Sequence, residues 1–378
     1  MQLDTIYIRN ETRINEYRAP IIPKDIYALK QCGYTVYVEQ SDTRCFTDSD
    51  YEASGAIITN KCWTDFSNSL IVGIKGFTDM DKLDNHVHVY FAHCYKNQPG
   101  SSEILNRFSE SKSKLYDLEY FLDATSNRII AFGLYAGIVG CGLGLMQYNH
   151  SKNNDDIKNL TYWANTNHLL KDIRCSFSNH FSFNAPPKGA EKNGLDQLLC
   201  ASNKRNVVKA EKNISIAIIG ANGRCGMGVK HILNIFSIPY KEFLRGDKIQ
   251  HIEDYDIVFN CIHLTNEIPK WFTKETKFTK KIVIIDISCD YSSKYNPIDI
   301  YNKPTTWEEP VYKYSEFVDI IAIENLPSLL PFESSNDFSD NLVHLLRLYS
   351  EGDIDKYWKN NLAVYNKHIS NPDKTNIF

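Results

Sequence analysis

Two residues stand where protons could be moved. Lys75, in Gly73-Ile74-Lys75-Gly76, and His93, in Phe91-Ala92-His93-Cys94-Tyr95-Lys96, each follow an apolar, β-type run. In open α/β sheets, ligands sit beyond the carboxyl ends of the strands. A lysine and a histidine there can share proton transfers, provided burial lowers the lysine pKa. Arg18 follows another strand and has the planar fork that clamps a carboxylate through two hydrogen bonds. On spacing alone, the bland readings stay open. A lysine at a strand end is commonly a solvated terminus, and a histidine is commonly a satisfied buried polar group.

The second chemical signal is a turn that would cradle phosphates. Ile214 to Ile219 reads as a buried strand, Gly220-Ala221-Asn222-Gly223-Arg224-Cys225-Gly226 as a glycine-rich turn, and Val229 to Phe236 as a helix. Backbone N–H groups at a helix N-terminus face a diphosphate, and glycines let the backbone approach it. Ala221 occupies the first glycine position of the dinucleotide fingerprint, and Gly223 and Gly226 supply the second and third. Asp247, after the next strand, is the candidate for the adenosine ribose and favours NAD over NADP, although Arg245 lies nearby. The alternative is a tight glycine turn with no ligand.

The elements that must position these residues alternate. Strands are expected at 4–8, 34–38, 56–58, 70–74 and 87–92, with helices at 24–32 and before Gly55. Further strands are expected at 214–219, 257–261, 281–286 and 320–323, and the tail from 337 to 369 reads as mostly helical. This alternation predicts βαβ units and parallel sheets. Residues 149–213, rich in Asn, Ser, Lys and Asp, read as helices joined by a long irregular connection.

Composition narrows the class. At 378 residues the chain is too long for one ordinary domain of roughly 100–200 residues. Its 43% hydrophobic and 23% charged content is that of a globular protein, which excludes disordered and fibrous classes. A net charge of −4 argues against nucleic-acid binding by bulk electrostatics. No apolar run approaches membrane length, and the N-terminus lacks the pattern of a secretory signal, so a cytoplasmic protein without a membrane partner is expected. Ten scattered cysteines make no C-x-x-C pair, and His86 and His88, alternating on one face of what reads as an edge strand, are expected at the surface. No metal site is expected.

Several segments together resemble saccharopine dehydrogenases (NAD, L-lysine-forming), within the alanine dehydrogenase and transhydrogenase fold group. They are Tyr17-Arg18-Ala19-Pro20, Gly73-Ile74-Lys75, Phe91-Ala92-His93-Cys94-Tyr95-Lys96, Leu115-Tyr116-Asp117-Leu118-Glu119, Ala131-Phe132-Gly133-Leu134-Tyr135-Ala136-Gly137, Gly223-Arg224-Cys225-Gly226, Asp286-Ile287-Ser288-Cys289-Asp290 and Leu326-Pro327-Ser328-Leu329-Leu330-Pro331. They follow the family's order and span nearly the whole chain except about 150–211.

The resemblance implies an α/β enzyme of two Rossmann-like, doubly wound parallel-sheet domains with the active site in an interdomain cleft. The substrate domain would be 1–131 plus 333–378, and the NAD-binding domain 132–332. The family oxidises saccharopine with NAD and hydrolyses the imine to lysine and 2-oxoglutarate. Lys75 and His93 would be the acid–base pair. Arg18, Lys75, Gln98, Arg128 and Phe132 would hold saccharopine, and Ser288, Cys289 and Asp290 would close over it. Gly223, Arg224, Asp247, His263, Ile287, Ile323, Glu324, Asn325 and Leu326 would contact NAD. The resemblance also carries a Cys225–Cys261 disulfide, between a turn and a strand end expected to meet, and expected to be mostly open in a reducing cytosol. A monomer is expected.

This chain departs from the family pattern in places. Gly76 stands where a glutamate usually follows the lysine, which leaves Glu119 as the carboxylate able to face Lys75. Asn127 replaces an arginine, His263 a tyrosine, and Glu324-Asn325 an Asp-His pair. Two other readings stay open: an opine-type dehydrogenase joining another amino acid and 2-oxo acid, and a non-catalytic nucleotide-binding relative.

Overall fold

The computed structural model describes residues 3–95, 100–177, 214–262, 264, 266–350 and 356–370. The chain divides into two compact units, Met1–Ala131 with Ser334–Phe378, and Phe132–Glu333.

The first unit is built on six strands: β1 (Thr5–Ile8), β2 (Thr35–Glu39), β3 (Ile57–Thr59), β4 (Leu70–Val72), β5 (Val87–Tyr90) and β6 (Lys114–Asp117). Their spatial order is β3-β2-β1-β4-β5-β6, and every pairing is parallel. Helix α1 (Pro23–Gln31) starts with Pro at its first position, where no N–H is needed, and Gly33 at φ +90° ends the turn that follows it. Helix α2 (Asp48–Ala53) opens on a capping box between Thr47 and Asp50. Helix α3 (Ser101–Glu110) precedes β6. The strand order reverses between β1 and β4, which makes their carboxyl ends the place where ligands bind in such sheets.

β5 is an interior strand, flanked by β4 and β6, and this corrects the edge-strand reading of His86 and His88. Both are buried. His88 lies flat on Phe77 with ring centroids 4.5 Å apart, and Trp63 packs edge-on against both histidines. The added strand β6 and this aromatic layer remove them from water.

The second unit begins with α4 (Gly133–Ser151) and α5 (Thr166–Phe177). It continues through β7 (Ile216–Ile219), α6 (Arg224–Ile235), β8 (Lys241–Phe243), β9 (Ile257–Asn260), β10 (Ile282–Asp286), β11 (Tyr312–Ser315) and β12 (Val318–Ile321). The sheet order is β11-β12-β10-β9-β7-β8, parallel except for β11 against β12. Both units are therefore doubly wound α/β sheets, as expected. Helix α4 is apolar on every side and glycine-rich because another helix crosses it backbone to backbone. A Cβ on Gly137 would lie 1.9 Å from the Cys225 carbonyl oxygen, and one on Gly228 would lie 2.1 Å from that of Leu134. Of the region read as helices and irregular connection, α5 is described, and 178–213 lie outside the described residues.

Helices α7 (Pro331–Ser350) and α8 (Lys356–Ile369) complete the chain. Trp358 of α8 is fully buried, Asn361 Nδ2 donates to the Asp117 carbonyl at 2.8 Å, and the Tyr365 hydroxyl donates to that of Ser113 at 2.7 Å. The tail helix thus closes over β6 of the first unit.

Candidate active site

In the first unit, the acid–base candidates leave the sheet side by side. β4 and β5 are neighbours, and the Phe91 N–H donates to the Ile74 carbonyl at 3.1 Å, so the Lys75 and His93 loops start next to each other. Lys75 keeps part of its surface exposed, but its ammonium is sunk among protein atoms. Burial, followed by the Arg18 and Arg13 charges, brings its pKa down to about 8, against the opposing pull of Glu16 and Glu11. That value places a neutral amine within reach of working pH.

The carboxylates facing Lys75 come from the segment after β1, which reads in the sequence only as a polar turn. Glu16 and Glu11 supply the counter-charge that Gly76 lacks. Gly76 itself is exposed, with open space where a Cβ would go. Glu119 is engaged elsewhere: it pairs with Arg128, and its Oε2 lies 3.6 Å from His93 Nδ1. Arg18 is buried and presents its fork to Glu16, with Nε and Nη2 donating at 2.6 and 2.5 Å. Burial alone would raise the Glu16 carboxyl, but the Arg18 charge and hydrogen bonds win and hold it below its ordinary value.

His93 takes a left-handed backbone, φ +51°, and its ring stacks on Phe91 at 5.8 Å. Behind it, Asp117 ends β6 and is fully buried, with Oδ1 accepting the Glu119 N–H at 2.9 Å. Burial, with the Glu119 charge, raises its carboxyl to about 6 against the His93 charge and the N–H bonds that lower it. Gln98 lies outside the described residues.

In the second unit, the glycine turn also sits at the point where strand order reverses, between β7 and β9. Gly220 has φ +81°, and a Cβ there would strike Ile262 at 2.2 Å. Gly223 is the N-cap of α6, and Arg224 is its first residue. A Cβ on Gly226 would lie 2.6 Å from both Ala221 Cα and the Gly220 carbonyl oxygen, so glycine is needed for the helix to start this close to the strand. Gly223 is exposed, and the first helical turn has no acidic residue. These residues fit a dinucleotide diphosphate.

The other cofactor candidates fall at strand ends of the same sheet. Asp247 is exposed in the turn after β8, and its Oδ2 accepts the Leu244 N–H at 2.7 Å. Ile287 follows β10 and is buried. Ile323 and Leu326 are buried after β12, whereas Glu324 is exposed. Asn325 accepts from Trp307 Nε1 at 3.0 Å, a role that holds its own loop. Phe132 caps the start of α4. His263 lies outside the described residues.

Ser288, Cys289 and Asp290 form the loop after β10. Sequence reasoning missed what holds it: Asp286, fully buried, accepts from Asn260 Nδ2 at 2.9 Å, Ser288 Oγ at 2.6 Å, the Cys289 N–H at 3.2 Å and the Tyr301 hydroxyl. Burial raises the Asp286 carboxyl despite these donors. Cys289 adopts φ +49° within this network.

Cys225 and Cys261 are thiols with no disulfide between them, so the bridge that the resemblance carries is not shown in this structure. The turn and the strand end do approach, and Cys261 senses the Cys225 charge. Burial, followed by the nearby Cys225 and Cys141, pushes the Cys261 thiol well above its ordinary range. A buried, protonated thiol is a poor partner for exchange.

Comparison with known proteins places this geometry. The family described as alanine dehydrogenase/PNT, N-terminal domain, matches residues 7–139, and its C-terminal counterpart matches 240–373. The saccharopine dehydrogenase (NAD+, L-lysine-forming) of Candida glabrata is 32% identical over 385 residues, covering 96% of each chain. The chain belongs to the saccharopine dehydrogenase family. The corresponding enzyme of Candida albicans is 30% identical, covering 98% of each chain. Among solved structures, an L-alanine dehydrogenase has a TM-score of 0.63 at 13% identity, over 95% of this chain and 94% of its own. A transhydrogenase from Sinorhizobium meliloti has a TM-score of 0.60 at 14% identity, over 94% of this chain and 97% of its own. At such identities these two show the fold alone. No described helix is long and apolar enough to cross a membrane.

Proposed function

We propose that this chain is an NAD-dependent saccharopine dehydrogenase, oxidising saccharopine and releasing L-lysine and 2-oxoglutarate, or running the reverse condensation. The observation that carries the reading is Lys75, an ammonium sunk at a strand end with its pKa brought down to about 8. Membership of the family, whose fungal members carry this activity in their names, supports it.

NAD supplies the hydride acceptor. Gly223 and Arg224 would hold its diphosphate at the start of α6, Asp247 its ribose, and Ile287 and the loop Ile323–Leu326 its remaining length. Neutral Lys75 Nζ accepts the proton of the saccharopine secondary amine as the C–H bond is oxidised to the imine. His93 takes a proton from the water that adds to the imine carbon. As the water adds, Lys75 returns its proton to the imine nitrogen. The C–N bond of the resulting carbinolamine then breaks as its hydroxyl proton passes to Lys75 and the His93 proton goes to the leaving lysine nitrogen. Arg18, Gln98 and Arg128 of the first unit would hold the carboxylate-bearing substrate. In this reading the substrate domain is the first unit and the NAD domain the second, and the enzyme is a cytoplasmic monomer.

The test is NADH formation from saccharopine, and NADH consumption with lysine and 2-oxoglutarate against ornithine or pyruvate. Wild-type turnover with saccharopine, lost in Lys75→Met, is expected. No turnover with saccharopine, or faster consumption with ornithine or pyruvate, would overturn it.

A further inference from the structure

We propose that the buried Arg9–Glu11 ion pair is a positioning device for Lys75, clamping the turn that carries it through both its N–H and its C=O. The inference rests on the reading of Lys75 as the proton acceptor.

Arg9 leaves β1 and Gly73 leaves β4, the two central strands between which the sheet order reverses. Arg9 Nη2 donates to the Lys75 carbonyl at 2.6 Å. Glu11 Oε1 accepts the Ile74 N–H at 2.7 Å, and its Oε2 accepts the Lys75 N–H at 3.0 Å. The two side chains lie 3.9 Å apart, and the residues are 3% and 6% exposed. Both peptide groups of Lys75 are thus tied to one ion pair.

The sheet is built to admit it. A Cβ on Gly73 would lie 2.0 Å from Arg9 Nη2, so any side chain there evicts the guanidinium. Phe77 and Tyr90 support the guanidinium from 5.0 and 5.8 Å. Well-packed apolar residues would stabilise the sheet as well as a buried pair does. What they would not do is hold the root of Lys75 on both sides, so that its ammonium stays desolvated. The charged groups facing the ammonium are Arg18, Glu16, Arg13 and Glu11. Glu11 also faces Arg9 and Glu16, and Arg9 faces His88, Tyr7 and Tyr90.

The test compares Arg9→Met, Gly73→Ala, Arg9→Lys and the shape-keeping double variant Arg9→Met/Glu11→Gln with Lys75→Met. Readouts are the pH profile of kcat/KM for saccharopine, Tm, and NADH affinity by fluorescence. Releasing the turn lets water reach Lys75, so Arg9→Met and Gly73→Ala should move the acidic limb to higher pH. They should lower kcat/KM by about tenfold or more, as small misplacements do, with NADH affinity unchanged. The double variant also loses the Glu11 charge that raises the Lys75 pKa, so its limb should move the same way by less than in Arg9→Met, and Arg9→Lys should return the limb part of the way. A limb that stays in place in folded variants, whatever happens to Tm or rate, refutes the clamp. Wild-type turnover in Lys75→Met would instead remove the lysine from the reaction, a failure of the reading beneath it.

Discussion

Glu16 and Arg18 meet fork to fork two residues apart, with both guanidinium bonds at 2.6 Å or less and both side chains buried. Glu16 is the foremost carboxylate raising Lys75, and Arg18 the foremost cation lowering it. Glu16→Gln removes the first and leaves the second uncompensated. The Lys75 pKa should fall, and the acidic limb of kcat/KM should move to lower pH. Breaking one half of a buried pair also costs about 3–5 kcal/mol of stability, so Tm should drop. A limb moving to higher pH would mean that solvent enters in place of the lost carboxylate.

Asp247 sets the cofactor preference in this reading. Its carboxylate is exposed while capping the Leu244 N–H, and Gly246 at φ +94° forms the turn beside it. A 2′-phosphate there meets like charge, which costs several kcal/mol, so kcat/KM for NAD should exceed that for NADP by at least about a hundredfold. Asp247→Asn keeps an acceptor for the turn and should narrow the gap. Equal use of both cofactors by the wild type would give Arg245 the deciding charge.

Gly228 lies where α4 and α6 cross. A methyl group there meets the Leu134 carbonyl at 2.1 Å and the Ile138 nitrogen at 2.8 Å, both backbone atoms that cannot swing aside. Gly228→Ala should cost about 1–3 kcal/mol or more, seen as a Tm lower by several degrees in calorimetry. Gly76→Ala, which points into open space, is the control and should leave Tm nearly unchanged. Equal Tm values for both variants would contradict the close crossing.

Asp117 gives a pH signature to stability. Its folded pKa, about 6, is raised from 3.8. A carboxyl with a raised folded pKa contributes its stability below the unfolded pKa and loses it as pH rises through the folded one. Denaturant titrations should therefore show wild type losing stability relative to Asp117→Asn as pH rises from about 4 to about 6. A flat difference across that range would mean that Asp117 stays ionised in the fold.

Much of this protein is legible in order along the chain. The strands after which Lys75, His93 and Gly220 stand are short apolar runs closed by glycines or polar residues, and local patterning is enough to find them. Family motifs locate the glycine turn and the loop at Ser288 in the same way. Local pattern fails where an element's identity comes from what packs on it. Helix α4 carries too many glycines to read as a helix, yet those glycines are what let α6 approach. The strand β6 is four residues long, and without it β5 reads as an edge and His88 as exposed.

The sequence by itself determined the residue types at the strand ends, the turn that fits a diphosphate, and the family. Only the tertiary structure decided what those residues face. Glu11 and Glu16 look like part of a polar turn until parallel pairing of β1 with β4 sets that turn beside Lys75. Glu119 looks like a counter-ion for Lys75 until β6 pairs with β5 and delivers it to His93 and Arg128. Cys225 and Cys261 look like a bridge from the resemblance, whereas the fold leaves both as thiols and burial pushes the Cys261 thiol up. Charge and hydrogen-bond partners depend on distances of a few ångströms. Between residues dozens of positions apart, those distances are set by strand pairing and helix crossing, which no local pattern encodes.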